Sequence, residues 1–537
     1  MRRLRQLAAR TPPGRERYAD LLRALAITMV VLGHWGVTAI GYDHGRPAGH
    51  SALADLPWAW PVTWVAQVMP VFFLVGGYAN AASLVSRRRR GGSATGWLVD
   101  RSARLVRPTS TLLLVLTAAA AVATVLGADP ARVRTVVWFA TIPLWFLVAY
   151  FVVVALTPPM YALHRRFGLA VPVVLVGLVA LGDLGRVLGP VDLADGNYLF
   201  GWLAVHQLGF AWYDSNPPAR TDTDARVNPN AGADMPAGTG GYPDTSAVTG
   251  GTEVRGLRRR RLPLTRRAGA ILLAVGLVAL VLLTTVGPYP VAMLNVPGER
   301  LDNAAPPSLA LLAAATAQLG VILLLRRPAE RWLRRPGPWR AVVAVNAVVL
   351  TVFLWHLTAA VLLVGLLDAL GVLPTPRVGS AAWWAWRIPW LLALAVVLSA
   401  LVAVFGPVEV RTRRPPGPRN HATAAGPGGP TGRHDGPTSG HEEPGGGHDQ
   451  AGGGHDEAAS RHDQAASGRD EPGGGHGLVS TVVAGVGYAG LVVGLLVNSL
   501  VRKDAPEPLG LPAPALVAYL AGAGLLRRLR SGWGNRG

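Results

Sequence analysis

A polytopic bundle of membrane-spanning helices, all-α in class, is the fold this sequence predicts, and three observations predict it. Half of the 537 residues are hydrophobic and only 15% are charged, a low share for a soluble chain of this length. Twelve apolar runs are long enough, or nearly so, to cross ~30 Å of hydrocarbon. The Lys and Arg between those runs alternate between a rich side and a poor side. Of the 51, 41 fall on one side and 9 on the other, with Arg23 inside the first run. Basic residues mark the cytoplasmic side, so the asymmetry predicts an even number of spans with both termini inside. Without the longest inner loop, where that rule is weak, the ratio is still 34 to 9.

The net charge of +20 does not imply nucleic acid. The arginines sit in short clusters between apolar runs rather than on one basic face, so a lipid bilayer is the expected partner and no nucleic acid is. The chain has no cysteine, which excludes a disulfide scaffold, a thiolate nucleophile and a Cys-ligated metal. The N-terminus is basic, but polar groups interrupt the first apolar run, which reads as a retained helix rather than a signal peptide.

The runs lie near 20–41, 62–84, 107–127, 138–157, 169–188, 197–212, 268–287, 307–325, 341–367, 388–406, 478–500 and 511–526. Two polar stretches interrupt them. Residues 213–256 are rich in Pro, Gly, Asp and Thr and read as a disordered cytoplasmic insert in a membrane domain spanning 1–410. In 411–476, His434, His441, His448, His455, His462 and His476 recur on a seven-residue period. The repeat is GGGHDQA, without the apolar seam of a coiled coil, and reads as a disordered linker. A Zn or Ni site is the competing reading of such a His-rich tract. The linker separates about ten core spans from a C-terminal pair in 477–537.

The first run, RYADLLRALAITMVVLGHW (Arg17–Trp35), is the most informative. Arg23 and His34 are eleven residues apart, which at ~100° per residue returns them to nearly one helix face, ~16 Å apart along the axis. Ionisable groups within a span face the bundle interior or a polar cavity and are functional candidates by default. The plain alternative is an arginine that snorkels to the interface and a histidine bonded to a neighbouring helix. In the second run, Gly76, Gly77, Ala79, Ala81 and Ala82 leave a thin surface that admits another backbone. Arg101, Arg104 and Arg107 then recur every three residues at the cytoplasmic mouth of the third run. Such a basic face fixes topology and touches lipid headgroups, or it clamps phosphates with guanidinium forks.

Taken in order, the Arg and His with ten residues between them in the first helix, PVFFLVGGY in the second, RSARLVRP entering the third and PLWFLVAYF (Pro143–Phe151) resemble the acyltransferase-3 family. NYLFGWLAVHQLGFAW, GPYPVAMLNVPGE and PPSLALLAAATAQLG resemble its actinobacterial branch. The likeness covers about residues 17–406. It implies a membrane-embedded enzyme that takes acyl groups from acyl-CoA, as co-substrate, to extracytoplasmic sugars, glycans, lipids or antibiotics. Gly76 stands where family members often carry serine, so that position supplies no hydroxyl here. The C-terminal pair lies outside the resemblance.

Acyl transfer from a thioester to a hydroxyl needs a base, a role an imidazole suits. His34 is therefore the expected catalytic base. Arg23, also placed in the catalytic site, and Arg101, Arg104 and Arg107 are expected to hold the donor's phosphates. Asp20, Tyr78, His206, Asn346 and His356 are additional polar candidates, for which interhelical hydrogen bonding is the plainer role. Asn346 and His356, ten apart, are expected near one face of the ninth helix. Asp183 and Arg186 read as a local ion pair. The loop with Tyr289, Asn295, Glu299 and Asp302 is either a connector or part of the acceptor site. No metal site is expected outside the His-rich tract. The expected location is the cell membrane, with multiple spans. A transporter or flippase without acyl chemistry, its buried His and Arg serving substrate or proton coupling, is the rival function.

Overall fold

The computed structural model describes residues 11, 15–189, 192–215, 261–294, 301–412, 474–501, 507 and 509–534. Most of the 213–256 insert, the periodic histidines from His434 to His462, Asn295 and Glu299 lie outside them. The chain divides into two compact units, residues 1–413 with 479–537, and residues 414–478. The description below is of the first.

The described residues are almost wholly helical. Ten helices among them are long and apolar enough to cross a membrane, as expected of a polytopic bundle. Of the twelve runs, 197–212 and 511–526 form helices without meeting that measure. The first of these, α8 (Asn197–Ser215), sits inside the bundle, where Trp202, Phe210 and Trp212 are fully buried. A helix enclosed by other helices need not present an apolar surface to lipid, so its polar residues are tolerated.

The helix ends differ from the apolar runs in ways the local chemistry explains. Helix α1 (Arg17–Val37) stops short of residue 41. The chain turns into an antiparallel hairpin, β1 (Thr38–Asp43) with β2 (Arg46–Ser51), in the register Thr38↔Ser51 to Asp43↔Arg46. His44 and Gly45 make its two-residue turn with positive φ at both positions, the backbone that suits the twist of a tight hairpin. The second run is a short helix, α2 (Trp60–Ala66), followed by α3 (Met69–Arg89). The third, α4 (Ala94–Val125), begins more than three turns before its apolar run and carries Pro108. The fourth is split into α5 (Pro130–Thr141) and α6 (Leu144–Phe167), because Pro143 offers no N–H to continue the helix. Then follow α7 (Ala170–Leu188), α8, α9 (Arg266–Thr285) and α10 (Leu309–Trp332).

The ninth run is likewise two helices, α11 (Pro336–Ala347) and α12 (Val349–Ala369), broken at Val348. The long α13 (Ala381–Thr412) crosses beside the break. Asn346 and His356 are therefore not on one continuous helix, contrary to the reading from spacing. The last pair, α14 (Gly474–Leu500) and α15 (Ala513–Gly534), follows.

The small residues of the second run do what their size predicts. A Cβ on Gly77 would fall 2.1 Å from the His206 carbonyl oxygen, and one on Gly209 would fall 2.2 Å from that of Leu74. Helices α3 and α8 thus cross in direct backbone contact, a distance only glycine permits. Phe73 then stacks on Trp202, with centroids 4.5 Å apart. The connection between α9 and α10 is tied down as well. Asp183, 3% exposed, accepts from the Tyr289 hydroxyl (2.9 Å), the Leu309 amide (2.7 Å) and Asn197 (3.0 Å). Arg186 lies 3.7 Å from Asp183 and donates to the Asp302 carbonyl. Asp183 is thus the node of several elements rather than half of a local pair.

Candidate active site

His34 meets His356. Their facing nitrogens, Nδ1 of His34 and Nε2 of His356, are 2.7 Å apart. The ring centroids are 5.0 Å apart and the planes 6° from parallel. With the nitrogens so much closer than the centroids, the rings lie nearly in one plane, edge to edge, with the hydrogen bond between them. His356 is fully buried, and its Nδ1 is 2.6 Å from the Phe353 carbonyl. A carbonyl only accepts, so the proton of neutral His356 is on Nδ1 and its Nε2 carries a lone pair. That lone pair requires His34 to donate from its own Nδ1. The remaining nitrogen of His34, Nε2, then bears the lone pair and has no hydrogen-bond partner among the described residues. A backbone carbonyl three residues from His356 therefore sets the tautomer of His34 through one intervening ring.

Several contacts hold the two helices in this register. Trp35 Nε1 donates to the His356 carbonyl (3.0 Å), while Thr38 Oγ1 closes the end of α1 on the His34 carbonyl (2.6 Å). Asn346 Nδ2 donates to the Asp20 carbonyl (2.8 Å). Asn346 and His356 thus both reach α1, from opposite sides of the helix break. The break is stabilised by Glu409, which is 2% exposed. Its carboxylate accepts the Thr351 amide (2.8 Å) and hydroxyl (2.9 Å), with the Leu350 amide at 3.4 Å. These amides open a new helix and have no carbonyl partner of their own, so an acidic side chain from α13 serves as their cap.

The other predicted residues occupy separate places. Arg23 lies 3.3 Å from Asp20, which also binds Arg15 at 2.6 Å. Arg101 turns inward and donates to the Tyr150 hydroxyl (3.1 Å), while Arg104 and Arg107 are exposed. The three arginines do not converge. Tyr78 is buried against Trp212 and Tyr213. His206 is fully buried, its Nε2 3.0 Å from Asn80 Nδ2. An amide nitrogen donates, so His206 accepts there and presents a protonated Nδ1, which has no partner among the described residues.

Between Arg101 and the histidine pair runs a row of aromatic rings. Tyr150 stacks on Phe146 (5.9 Å), Phe146 meets Phe353 edge-on (5.4 Å), and Phe353 lies 6.0 Å from His356. Sequence reasoning missed Glu409, Tyr150 and Phe353. Glu409 left a signal, a lone acid three residues beyond the tenth apolar run. The two aromatic residues left none, since an aromatic in a span is ordinary core.

Among the described residues no group of three His, Asp or Glu side chains could hold a metal ion. Outside the spans, burial raises the Asp302 carboxyl above its ordinary range, against the amides of Ala304 and Ala305. Burial and the nearby Asp183 raise the Tyr289 hydroxyl.

The family model described as an acyltransferase domain, Acyl_transf_3, matches residues 16–406. The matched region holds His34, His356, Arg101 and the aromatic row, and ends three residues before Glu409. No curated protein and no solved structure matches the chain.

Proposed function

Because the chain belongs to the acyltransferase-3 family, we propose that this membrane acyltransferase is an O-acyltransferase. It takes an acetyl or similar acyl group from cytoplasmic acyl-CoA to a hydroxyl of an extracytoplasmic or membrane-associated glycan or lipid. The observation that carries the reading is the His34–His356 pair, which leaves a lone pair on His34 Nε2. In the proposed step, the acceptor hydroxyl gives its proton to that nitrogen as its oxygen attacks the thioester carbonyl. The tetrahedral intermediate expels the CoA thiolate, and the proton on His34 goes to that sulfur. While His34 is an imidazolium, its Nδ1–H stays on His356 Nε2, a preorganised acceptor for the developing charge.

Arg101 is the donor-binding residue best supported, since the aromatic row leads from it to the histidines. A pantetheine arm along that row would leave the CoA phosphates at the cytoplasmic end. Arg104 and Arg107 would meet those phosphates from the exposed side of α4, and Arg23, oriented by Asp20, would act on the same side. The cytoplasmic placement of both termini, and the cell membrane as the location, rest on the Lys/Arg asymmetry.

The deciding experiment is acyl-CoA turnover by purified protein with and without His34→Ala. Loss of a general base is worth ~10²–10⁴-fold, far beyond a packing defect, so the variant is expected to be inserted, folded and nearly inactive. Folded wild-type protein that neither binds nor turns over acyl-CoA would refute the enzyme and leave a transporter. A further expectation concerns Arg23. Arg23→Ala should raise the KM for acyl-CoA, with Arg23→Lys recovering part of the loss because an ammonium keeps the charge without the fork.

A further inference from the structure

Helices α14 and α15 lie beyond the matched region, yet they dock on the helix that carries Arg101. The Tyr519 hydroxyl donates to the Val106 carbonyl (3.1 Å) and lies 3.2 Å from Ser110. The Tyr488 hydroxyl is buried near Ser102 without a hydrogen bond among the described residues, and its ring meets Phe151 edge-on at 5.6 Å. Ser102, Val106 and Ser110 are four residues apart, one stripe of α4. Arg101 leaves the same turn on another side to reach Tyr150. The hairpin is itself closely joined. A Cβ on Gly494 would fall 2.5 Å from the Ala515 carbonyl oxygen, so the two helices pack backbone to backbone.

The docking site coincides with a weak turn. Pro108 lies inside α4 and has no N–H, so it donates no helical bond to the turn before it. A helix interrupted in this way tends to bend at that turn. The two tyrosines straddle it, Tyr488 by packing near Ser102 and against Phe151 before the proline, and Tyr519 by hydrogen bonds at Val106 and Ser110 around it.

We infer that the C-terminal hairpin is a splint for the donor site. By fixing α4 across Pro108 it holds Arg101 at Tyr150, and Tyr488 and Tyr519 are positioning residues for acyl-CoA binding. The inference rests on the donor role proposed for Arg101. It implies that the appended pair acts on KM rather than on the chemical step, since it touches neither histidine.

The absence of native cysteine makes the test clean. In the full chain, Tyr488→Phe with Tyr519→Phe should raise the KM for acyl-CoA and the Kd for coenzyme A about 5- to 10-fold, the loss expected for a removed buried hydrogen bond. The kcat should stay within about twofold. The Thr95 and Thr481 hydroxyls are 3.2 Å apart, so a disulfide between Thr95→Cys and Thr481→Cys should pin the hairpin to α4. In the double Phe background the oxidised disulfide should restore KM and Kd, and reduction should release them.

Unchanged KM and Kd in the double variant, or a fall in kcat alone, would overturn the splint and leave the enzyme reading standing. If the double variant does not fold, Tyr519→Phe alone decides by the same readings. Wild-type protein without turnover would strike the catalytic reading, while the coenzyme A Kd would still decide the splint. Wild-type protein that binds no coenzyme A would overturn both.

Discussion

Replacing His356 with leucine tests the tautomer argument directly. Leucine fills the site without a nitrogen, so His34 Nδ1 loses the acceptor now 2.7 Å away. Two consequences follow. The Phe353 carbonyl no longer fixes the proton on His34, whose Nε2 then carries a lone pair in only part of the molecules. In addition, the imidazolium formed during transfer has an Nδ1–H that nothing receives. Leaving a polar group unsatisfied in a buried site costs ~1–3 kcal/mol, and each ~1.4 kcal/mol is tenfold in rate. His356→Leu should therefore lower kcat about 10- to 100-fold, less than His34→Ala, with little change in the KM for acyl-CoA. His356→Gln should recover part of this, because its amide oxygen can accept from Nδ1. The assay is steady-state release of CoA thiol, which the cysteine-free chain does not obscure. A His356→Leu protein with wild-type kcat would refute the relay. A loss in His356→Gln equal to that in His356→Leu would show that packing, not hydrogen bonding, is the role of His356.

Three other outcomes follow from the same geometry. Glu409→Ala leaves the Thr351 amide and hydroxyl without their carboxylate. It should destabilise the protein by ~1–3 kcal/mol in a denaturation assay and lower kcat through α12, while Glu409→Gln should lose less. Gly77→Leu drives a side chain into the His206 carbonyl, so the protein should be recovered unfolded or aggregated, and size-exclusion chromatography would reveal a tolerated substitution. Asp302 is an acid whose folded form is shifted toward the protonated state by burial. The native state therefore bears a penalty at neutral pH that disappears as pH falls through the folded and then the unfolded pKa. Asp302→Asn removes the charge but keeps an acceptor for the amides of Ala304 and Ala305. It should raise the melting temperature near pH 7, with the gain shrinking on acidification toward about pH 4.

The sequence by itself determined the class and singled out the candidate residues of the first helix. Lengths of apolar run and the sorting of basic residues depend on solvent alone, since a bilayer selects long apolar helices whatever they pack against. For the same reason His34 and Arg23 were visible, as ionisable groups stand out against an apolar run. The small residues around Gly77 likewise announced a close crossing, although not that its partner would be α8. What the tertiary structure decided is which polar groups meet. Hydropathy is insensitive to a broken helix, so a single run hid the interruption at Val348, and with it the role of Glu409 as a cap supplied from another helix. Spacing set Arg101, Arg104 and Arg107 on one slowly turning face, but packing against α6 drew only Arg101 inward. The tautomer of His34 depends on the Phe353 carbonyl, more than three hundred residues away in the chain. That proton is placed by a hydrogen bond between helices, and no periodicity within either helix encodes it.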